Sequence, residues 1–412
     1  MRFKFLLLFI LIILLFTSCN FKENIDETQI SVINEDDYLT ANIIEKKQSQ
    51  VLFKETIAFS KAYPNANMLD LTDLIKPRAD AGLSGVDDKG NIYYTAEKND
   101  IEKTGAIYSY NPFKKEWKTL VETKENYNCA FIFANENYLL WMQDNNANWQ
   151  KTSLHLLNLE TLVDIEFYKH TLDPATGLTY AWQFSTPILI GNNIYFDDMV
   201  GKDKNELYKI KVFSYSISEN KVTMLAEDAK WPMEYQKKAA WLKMSQDQKN
   251  SLFFSVHQNK NLIKTETRLG TAFTAGGDLI IANDYMSQAF YDSLSQALDS
   301  QSKFNDTVKD PAVSSYGIKL LFKNEVQPII AVNAGFITNP VTNGDLVAWY
   351  GSSVGNPMLY SYNQDKLIQF DHLVEETVLG YNFYLSENYA ILHFGYETED
   401  SKQLEYFWKL QS

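Results

Sequence analysis

An all-β fold built from repeats is predicted by three features of the sequence. A turn rich in Gly, Asn, Asp or Glu is followed seven times by a short run of β-branched and aromatic residues, which is a strand pattern. These runs return at intervals of 39 to 67 residues. Second and third strand-like runs follow most of them, and the third alternates apolar and polar residues as a strand with one solvated face does. The instances begin at Gly90, Glu136, Asn192, Lys238, Gly277, Gly344 and Glu387.

Four strands in a repeat of roughly 40 to 50 residues are typical of a β-propeller. One four-stranded blade cannot bury both of its faces, whereas blades stacked around an axis bury them against each other. We predict seven blades over residues 49–412, with six as the alternative because the intervals vary. The last repeat has room for a strand up to about Leu410 and none beyond it. The strand-like run at residues 51–58 is therefore expected to complete the last blade and close the ring.

The N-terminal residues 1–18 have the pattern of an export signal. Arg2 and Lys4 precede twelve unbroken apolar residues, 5–16, and small residues follow. Twelve residues span about 18 Å as a helix, against about 30 Å for a bilayer core. Residues 15–19 resemble a bacterial lipoprotein signal, with Phe16 where that family usually has Leu. The resemblance implies cleavage before Cys19, lipid on its thiol, export, and anchoring to a bacterial membrane in the cell envelope.

Two further segments are distinguished by composition. Residues 19–48 are polar and acidic and have little periodicity, so we predict a flexible tether between the lipid and the propeller. Residues 287–310 lengthen one repeat, and Phe290, Leu294 and Leu298 recur every four residues, which predicts one apolar stripe on a short helix. This insertion either packs on its own blade or docks a partner.

Charge and composition narrow the range of partners. The formal charge of −14 becomes more negative when Arg2 and Lys4 leave with the signal, so we expect no nucleic-acid partner. The expected partners are the membrane, through the lipid, and a protein or glycan of the envelope. If Cys19 carries lipid, Cys129 has no disulfide partner in the chain, and its apolar surroundings predict a buried, inert thiol.

The motifs that resemble catalytic or metal sites are better interpreted as structural. Residues 351–355 match G-x-S-x-G, but they fall between two predicted strands rather than at a strand-to-helix elbow. Residues 87–91 lack the acids of a calcium loop and predict a tight turn. Asp197 and Asp198 are interpreted as part of a solvated acidic loop, and no two of the five histidines have zinc-site spacing. We predict no catalytic residues, no metal site and no cofactor.

Aromatic residues give the remaining indication of a site. The chain has 25 Tyr, 25 Phe and 8 Trp, most of which we expect to pack between blades. Tyr180, Trp182 and Trp231 fall in or near predicted first strands, which line the central channel of a propeller. Exposed rings at the channel mouth stack on sugars or grip a peptide. These three residues are the predicted ligand-binding residues.

The repeats resemble those of the bacterial propeller group that includes the TolB C-terminal domain and the propeller domains of prolyl oligopeptidases. The resemblance covers residues 80–410 and implies a fold rather than a function. We therefore predict an exported, lipid-anchored binding or scaffolding protein, rather than an enzyme, that holds a protein, peptide or glycan on a face of the propeller. The alternative is a glycan-active propeller enzyme with paired channel carboxylates about 5–10 Å apart on first strands. An assembly factor docking through residues 287–310 is a third hypothesis.

Overall fold

The structure is a computed structural model. It describes the backbone of residues 31–32, 42–44, 47–52, 54–99, 101–144, 151–179, 186–202, 208–244, 252–256, 261–265, 273–277, 279–285, 316–320, 326–332, 336–352, 357–370, 378–396 and 403–410. Side chains are described for 54–99, 101–144, 151–179, 186–202, 208–243, 276–277, 340–350, 357–370, 381–394 and 404–410. The predicted signal peptide, Cys19 and the predicted helical insertion at 287–310 lie outside these residues.

The N-terminal part of the described chain contains five short strands and one short helix, which we number in chain order. They are β1 (Ser31–Val32), β2 (Asn42–Ile44), β3 (Lys47–Leu52), β4 (Thr56–Ala58), α1 (Phe59–Ala62) and β5 (Leu69–Asp70). The residues after β5 fold into seven consecutive groups of antiparallel strands, which we call blades 1 to 7. The fold is a β-propeller, as predicted.

Blades 1 to 4 each contain four consecutive strands. Blade 1 comprises β6 (Gly82–Val86), β7 (Ile92–Ala96), β8 (Ala106–Asn111) and β9 (Glu116–Glu122); blade 2 comprises β10 (Asn128–Ala134), β11 (Tyr138–Asp144), β12 (Thr152–Asn158) and β13 (Asp164–Lys169). Blade 3 comprises β14 (Ile188–Ile190), β15 (Asn193–Lys202), β16 (Tyr208–Ser216) and β17 (Lys221–Glu227); blade 4 comprises β18 (Ala229–Tyr235), β19 (Lys238–Met244), β20 (Leu252–Val256) and β21 (Asn261–Thr265).

Blades 5 to 7 follow the same order, and β27 of blade 6 also pairs with β30 of blade 7. Blade 5 comprises β22 (Phe273–Gly276), β23 (Leu279–Tyr285), β24 (Tyr316–Leu320) and β25 (Val326–Val332); blade 6 comprises β26 (Phe336–Thr342), β27 (Leu346–Ser352), β28 (Met358–Ser361) and β29 (Lys366–Gln369). Blade 7 comprises β30 (Val378–Leu385), β31 (Tyr389–Tyr396) and β32 (Gln403–Lys409), to which β5 adds antiparallel as the fourth strand.

The first strands lie innermost, because they contact one another across neighbouring blades, as β22 does with β26 and β30 does with β6. The runs recognised in the sequence are the second strands β7, β11, β15, β19, β23, β27 and β31. Each second strand is flanked by two others, and where side chains are described the second strands are buried on both faces, as in Ile92, Tyr93 and Tyr94 of β7. The repeat seen in the sequence is therefore offset by one strand from the blade.

An N-terminal strand pairs with the last blade, but it is Leu69–Asp70 rather than the predicted run 51–58. Residues of that run belong to β3 and β4, which pair with blades 5 and 6. The four strands β1 to β4, which we call the strap, add in parallel to the outer strands β17, β21, β25 and β29 of blades 3 to 6. Within the predicted tether 19–48, β1, β2 and the start of β3 are thus edge strands of the propeller.

Blade 7 also packs directly on blade 1. Glu405 of β32 accepts a hydrogen bond from the Tyr94 hydroxyl of blade 1 at 2.8 Å and forms an ion pair with Lys76 at 2.9 Å. The Tyr384 hydroxyl donates to the Leu83 carbonyl at 3.0 Å. An apolar cluster that includes Ile92 and Ile391 fills the space between the two blades. No helix in the described part of the chain is long and apolar enough to cross a bilayer.

Candidate binding groove and buried polar networks

The two ends of the propeller differ in their connections. Tight turns join first to second and third to fourth strands at one end, which we call the turn face. The connections between second and third strands at the opposite end are longer, and the longest joins β23 to β24.

A groove of about 840 Å³ opens on the turn face where blades 6, 7 and 1 meet the chain between α1 and β5. Its lining is Ala62, Tyr63, Pro64, Asn65, Ala66, Asn67, Leu69, Phe113, Gln364, Tyr389, Phe407, Lys409 and Leu410. Five separate parts of the chain thus build one concavity. No local pattern in the sequence predicts such a site.

Phe113 is the most exposed aromatic side chain of the groove, at 60 % of its full exposure. It lies in the turn between β8 and β9, where the Asn111 side chain accepts hydrogen bonds from the backbone N–H of Phe113 and Lys114. Asn residues form such turns because the side-chain oxygen reaches the backbone two residues on. The turn therefore fixes the backbone that presents Phe113 while leaving its ring in solvent.

The floor beneath Phe113 is aromatic. The rings of Tyr389 and Phe407 stack with centroids 5.2 Å apart, and the Phe113 centroid lies 6.1 Å and 6.0 Å from theirs. Gly90 has φ +78°, and a Cβ on it would lie 3.0 Å from both Phe113 and Tyr389. Glycine is required there for both the left-handed backbone and the close approach of the rings.

The walls of the groove combine apolar residues with polar ones, and one residue of the lining, a lysine, is charged. Asn65, Asn67 and Gln364 are exposed amides, and Lys409 is an exposed cation. Tyr63 is half-buried, and burial together with the nearby Asp345 carboxylate raises the pKa of its hydroxyl, so the hydroxyl stays protonated as a donor. Amide donors and acceptors beside aromatic faces suit a peptide backbone or sugar hydroxyls.

Carboxylates also approach the channel at the turn face. The seven first strands that the structure describes contain one acidic residue, Glu234 of β18. Burial raises the pKa of Glu234, Lys237 opposes the shift, and the Glu387 carboxylate adds to it. Glu387 lies in the β30–β31 turn, whose backbone N–H donates to Asp88 of blade 1 at 2.7 Å. Two carboxylates therefore influence each other near the mouth of the channel.

Blade 2 contains a serine, a histidine and an aspartate in the order of a hydrolase triad. Ser153 Oγ lies 3.1 Å from His155 Nε2, and His155 Nδ1 lies 2.8 Å from Asp164 Oδ2. The Trp141 ring covers the imidazole at 4.2 Å between centroids and donates its N–H to Asp164. Ser153 is completely buried, so its hydroxyl does not meet solvent. The network ties together β11, β12 and β13.

A second buried network lies between blades 2 and 3. The Asp198 carboxylate accepts hydrogen bonds from the Tyr168 hydroxyl and the Thr171 backbone N–H and lies 2.9 Å from His170 Nδ1. Asp198 and its neighbour Asp197 are both buried within β15. The interpretation of these two aspartates as a solvated acidic loop was therefore wrong, because each carboxylate bonds an adjacent blade.

Among the predicted ligand-binding residues, Tyr180 and Trp182 lie outside the described residues, as does the predicted lipidation site Cys19. Trp231 lies on the first strand β18 and is half-buried. Its φ of +56° is rare for a bulky residue, and its backbone N–H donates to Asp197 at 2.8 Å. The Lys230 ammonium lies 4.0 Å from the centroid of its ring. Trp231 does not line the groove, and its role in ligand binding stays a prediction.

Two further expectations concern single groups. Cys129 is buried, as predicted, and burial raises the pKa of its thiol to about 12. Residues 87–91 form the predicted turn, in which the buried Asp87 accepts hydrogen bonds from two backbone N–H groups and the Tyr93 hydroxyl. Within the described residues, no three His, Cys, Asp or Glu side chains are grouped as metal ligands.

Comparison with known proteins identifies the fold. No family model matches the chain, and no curated protein matches it in sequence. The propeller domain of the trilobed protease from Pyrococcus furiosus is similar over 82 % of this chain and 95 % of that one, with 11 % identity and a TM-score of 0.51. The Pyrococcus horikoshii acylaminoacyl peptidase is similar over 80 % of this chain, with 9 % identity and a TM-score of 0.52. This chain covers 51 % of that peptidase. At such identities the likeness is one of fold.

Proposed function

We propose that this protein is a lipid-anchored binding or scaffolding component of the cell envelope, and that its groove holds a protein, peptide or glycan partner. The observation that carries the proposal is the exposed Phe113 ring above a stacked aromatic floor, with three amides and a lysine around it. An exposed aromatic ring costs free energy in water that contact with a ligand recovers. Turn hydrogen bonds and Gly90 hold the backbone beneath this ring in place without a ligand, and such preorganisation favours binding.

Anchoring through Cys19 would fix how far the propeller stands from the membrane. Eleven residues lie between Cys19 and Ser31, the first strap residue on blade 3, and this segment spans at most about 40 Å when fully extended. A propeller held at that distance reaches ligands attached to the membrane or to a polymer next to it. Metabolic labelling with a palmitate analogue tests the anchor, and Cys19→Ala should abolish the label.

The groove is tested with the full-length lipidated protein in detergent micelles. The protein is screened against glycan and peptide arrays, and the best ligand is titrated against wild type, Phe113→Ala and Ile101→Ala. Ile101 is the matched control, because it is an exposed apolar residue of blade 1 between β7 and β8, at the end of the blade opposite the groove. We expect at least a tenfold loss of affinity for Phe113→Ala alone. Equal affinity in all three proteins would refute the groove as the site.

The alternative function, a glycan-active enzyme, is favoured by one observation. Glu234 has a raised pKa and senses the Glu387 carboxylate, as a general acid beside a second carboxylate does. The two lie on a first strand and in a turn rather than both on first strands. Reducing-sugar release from envelope polysaccharides tests this alternative. Activity that Glu234→Gln lowers by at least a hundredfold, in a variant that melts at or above the temperature of wild type, would establish it over the binding function.

A further inference from the structure

The outer rim of the propeller is covered unevenly. The strap adds a parallel strand to the outer strands of blades 3 to 6, and β5 completes blade 7. In the described part of the chain, the sheets of blades 1 and 2 end at β9 and β13, with no further strand beside them. The edge of a sheet offers backbone N–H and C=O groups to any extended chain, so natural proteins usually protect it.

The residues of blades 3 and 6 with which the strap pairs identify the equivalent residues of blade 2. In blades 2, 3 and 6 the turn before the outer strand contains one residue with positive φ: Leu162, Asn220 and Asp365, respectively. Strap strands pair with the third and fourth residues after this positive-φ residue. These are Thr223 and Met224 in blade 3 and Ile368 and Gln369 in blade 6. The equivalent residues of blade 2 are Ile165 and Glu166.

The side chain at the position of Ile165 differs in exposure between a blade that the strap covers and one that it does not. Ile368 of blade 6 is fully buried where the strap pairs with it, whereas Ile165 of blade 2 is 39 % exposed. Leu162 and Val163, directly before β13, are more than half exposed. The uncovered edge of blade 2 therefore presents three adjoining apolar side chains to solvent.

Blade 1 has an uncovered edge of different chemistry. Its residue with positive φ is Lys115, and the position equivalent to Ile165 is Lys118. Charged side chains, lysine above all, protect an edge strand from pairing with other chains. At the left-handed position of blades 1, 3 and 6 the residue is Lys, Asn or Asp, whereas blade 2 has Leu162, whose exposed side chain gains nothing from solvent. Blade 1 thus has lysines at the two positions where blade 2 has Leu162 and Ile165.

We propose that the edge of β13 is a docking site for an extended segment of a partner protein, which adds as a parallel strand beside Ile165 and Glu166. The interface is continuous with the strap, which makes the same parallel addition on the next four blades. A second copy of this chain fits less well, because a two-fold axis pairs β13 with itself antiparallel rather than parallel. The partner segment places an apolar residue opposite Ile165, as Ile57 of β4 lies opposite Ile368.

The experiment uses photo-crosslinking in the full-length protein within its own cell envelope. A benzoylphenylalanine replaces Ile165 in one variant and Lys118, the equivalent edge residue of blade 1, in the control. Crosslinked segments are mapped by mass spectrometry, and a synthetic peptide of the mapped segment is then titrated against wild type, Ile165→Lys and Lys118→Glu. Thermal melting of both substituted proteins verifies that they are folded.

The proposal expects a crosslink from position 165, not from 118, to one segment of another protein. The peptide should slow hydrogen exchange of the backbone amides that β13 directs to its open edge, and Ile165→Lys should weaken its binding at least tenfold while Lys118→Glu leaves it unchanged. Three results would each overturn the proposal: no crosslink from position 165, crosslinks only to a second copy or to residues before Ser31 of the same chain, or a peptide that binds Ile165→Lys as well as wild type.

Discussion

The groove on the turn face and the Ser153–His155–Asp164 network differ above all in how far their side chains are exposed to solvent. The network has the residues of a catalytic triad, yet Ser153 is fully buried and the Trp141 ring covers His155. The groove is lined by aromatic rings, aliphatic side chains, amides and one lysine, yet its Phe113 ring stands in solvent. Residue types that suit catalysis are used here to hold strands together, and the open surface is built from side chains that suit binding.

The strongest test of the buried networks is Asp198→Ala. The substitution leaves the Tyr168 hydroxyl and the Thr171 N–H without their acceptor and removes the partner of His170. We expect a loss of about 3–5 kcal/mol in the free energy of unfolding, because buried polar groups are left unsatisfied. Urea denaturation measures it, with Glu160→Ala, an exposed carboxylate of blade 2, as the control at about ±0.5 kcal/mol. A change below 1 kcal/mol would mean that this network is not a structural bond between blades.

Ser153→Ala tests whether the triad arrangement is purely structural. It removes one hydrogen bond within the blade, so we expect a loss of about 1 kcal/mol in the free energy of unfolding. Hydrolysis of activated esters should stay at the background rate in both wild type and variant. Ester hydrolysis by the wild type that disappears in the variant would instead make the network a site and contradict the comparison above.

Glu234→Gln should show a stability change that depends on pH. Burial and Glu387 raise the pKa of Glu234 in the folded protein above its value of about 4.3 in the unfolded chain. The folded state then binds the proton more tightly, so this group's contribution to stability is lost as pH rises through the raised pKa. The variant should melt a few degrees above wild type at pH 8 and within a degree of it at pH 3. A higher melting temperature that persists at pH 3 would show that charge is not the cause.

Alkylation of Cys129 gives the smallest expected effect. Because burial raises the pKa of its thiol to about 12, the thiol is uncharged at pH 8 and unreactive. Iodoacetamide should leave Cys129 unmodified in the folded protein and label it fully in guanidinium chloride, as measured by the mass of its peptide. Rapid labelling without denaturant would mean that the interface between blades 1 and 2 opens.

The sequence predicts the fold better than the site. The second strands are recognisable in the sequence because their neighbours bury them on both faces. Their residues are therefore mostly apolar, and these runs follow turns such as the one at Gly90. The first strands give weaker patterns because they are short or irregular: β14 has three residues, and the register of β18 shifts between Lys230 and Met233. The closing strand Leu69–Asp70 has two residues, which are too few to show an alternation of apolar and polar residues. The longer strand-like run 51–58 was therefore predicted to be the closing strand.

The groove was not predictable because its parts come from residues 62–69, the turn at Phe113, Gln364 and the end of β32. Only the ring of blades brings them together. Trp231 was recognisable as an aromatic on a first strand, but its positive φ and its bond to Asp197 depend on blade 3. The buried histidines show the same limit, since the spacing of His155 and His170 gives no sign of Asp164 or Asp198.

The strap sets the order in which the chain can fold. Its strands are synthesised first, yet β1 pairs with Thr223 and Met224, and β4 pairs with residues 367–369. Contacts so distant in sequence form slowly, because the intervening chain must be ordered before they close. During synthesis β1 to β4 therefore remain without their partner strands until blades 3 to 6 have been made. In the same way, β5 stays unpaired until β32 has been made. The strands β1 to β5 are thus made before the blades and are the last to pair.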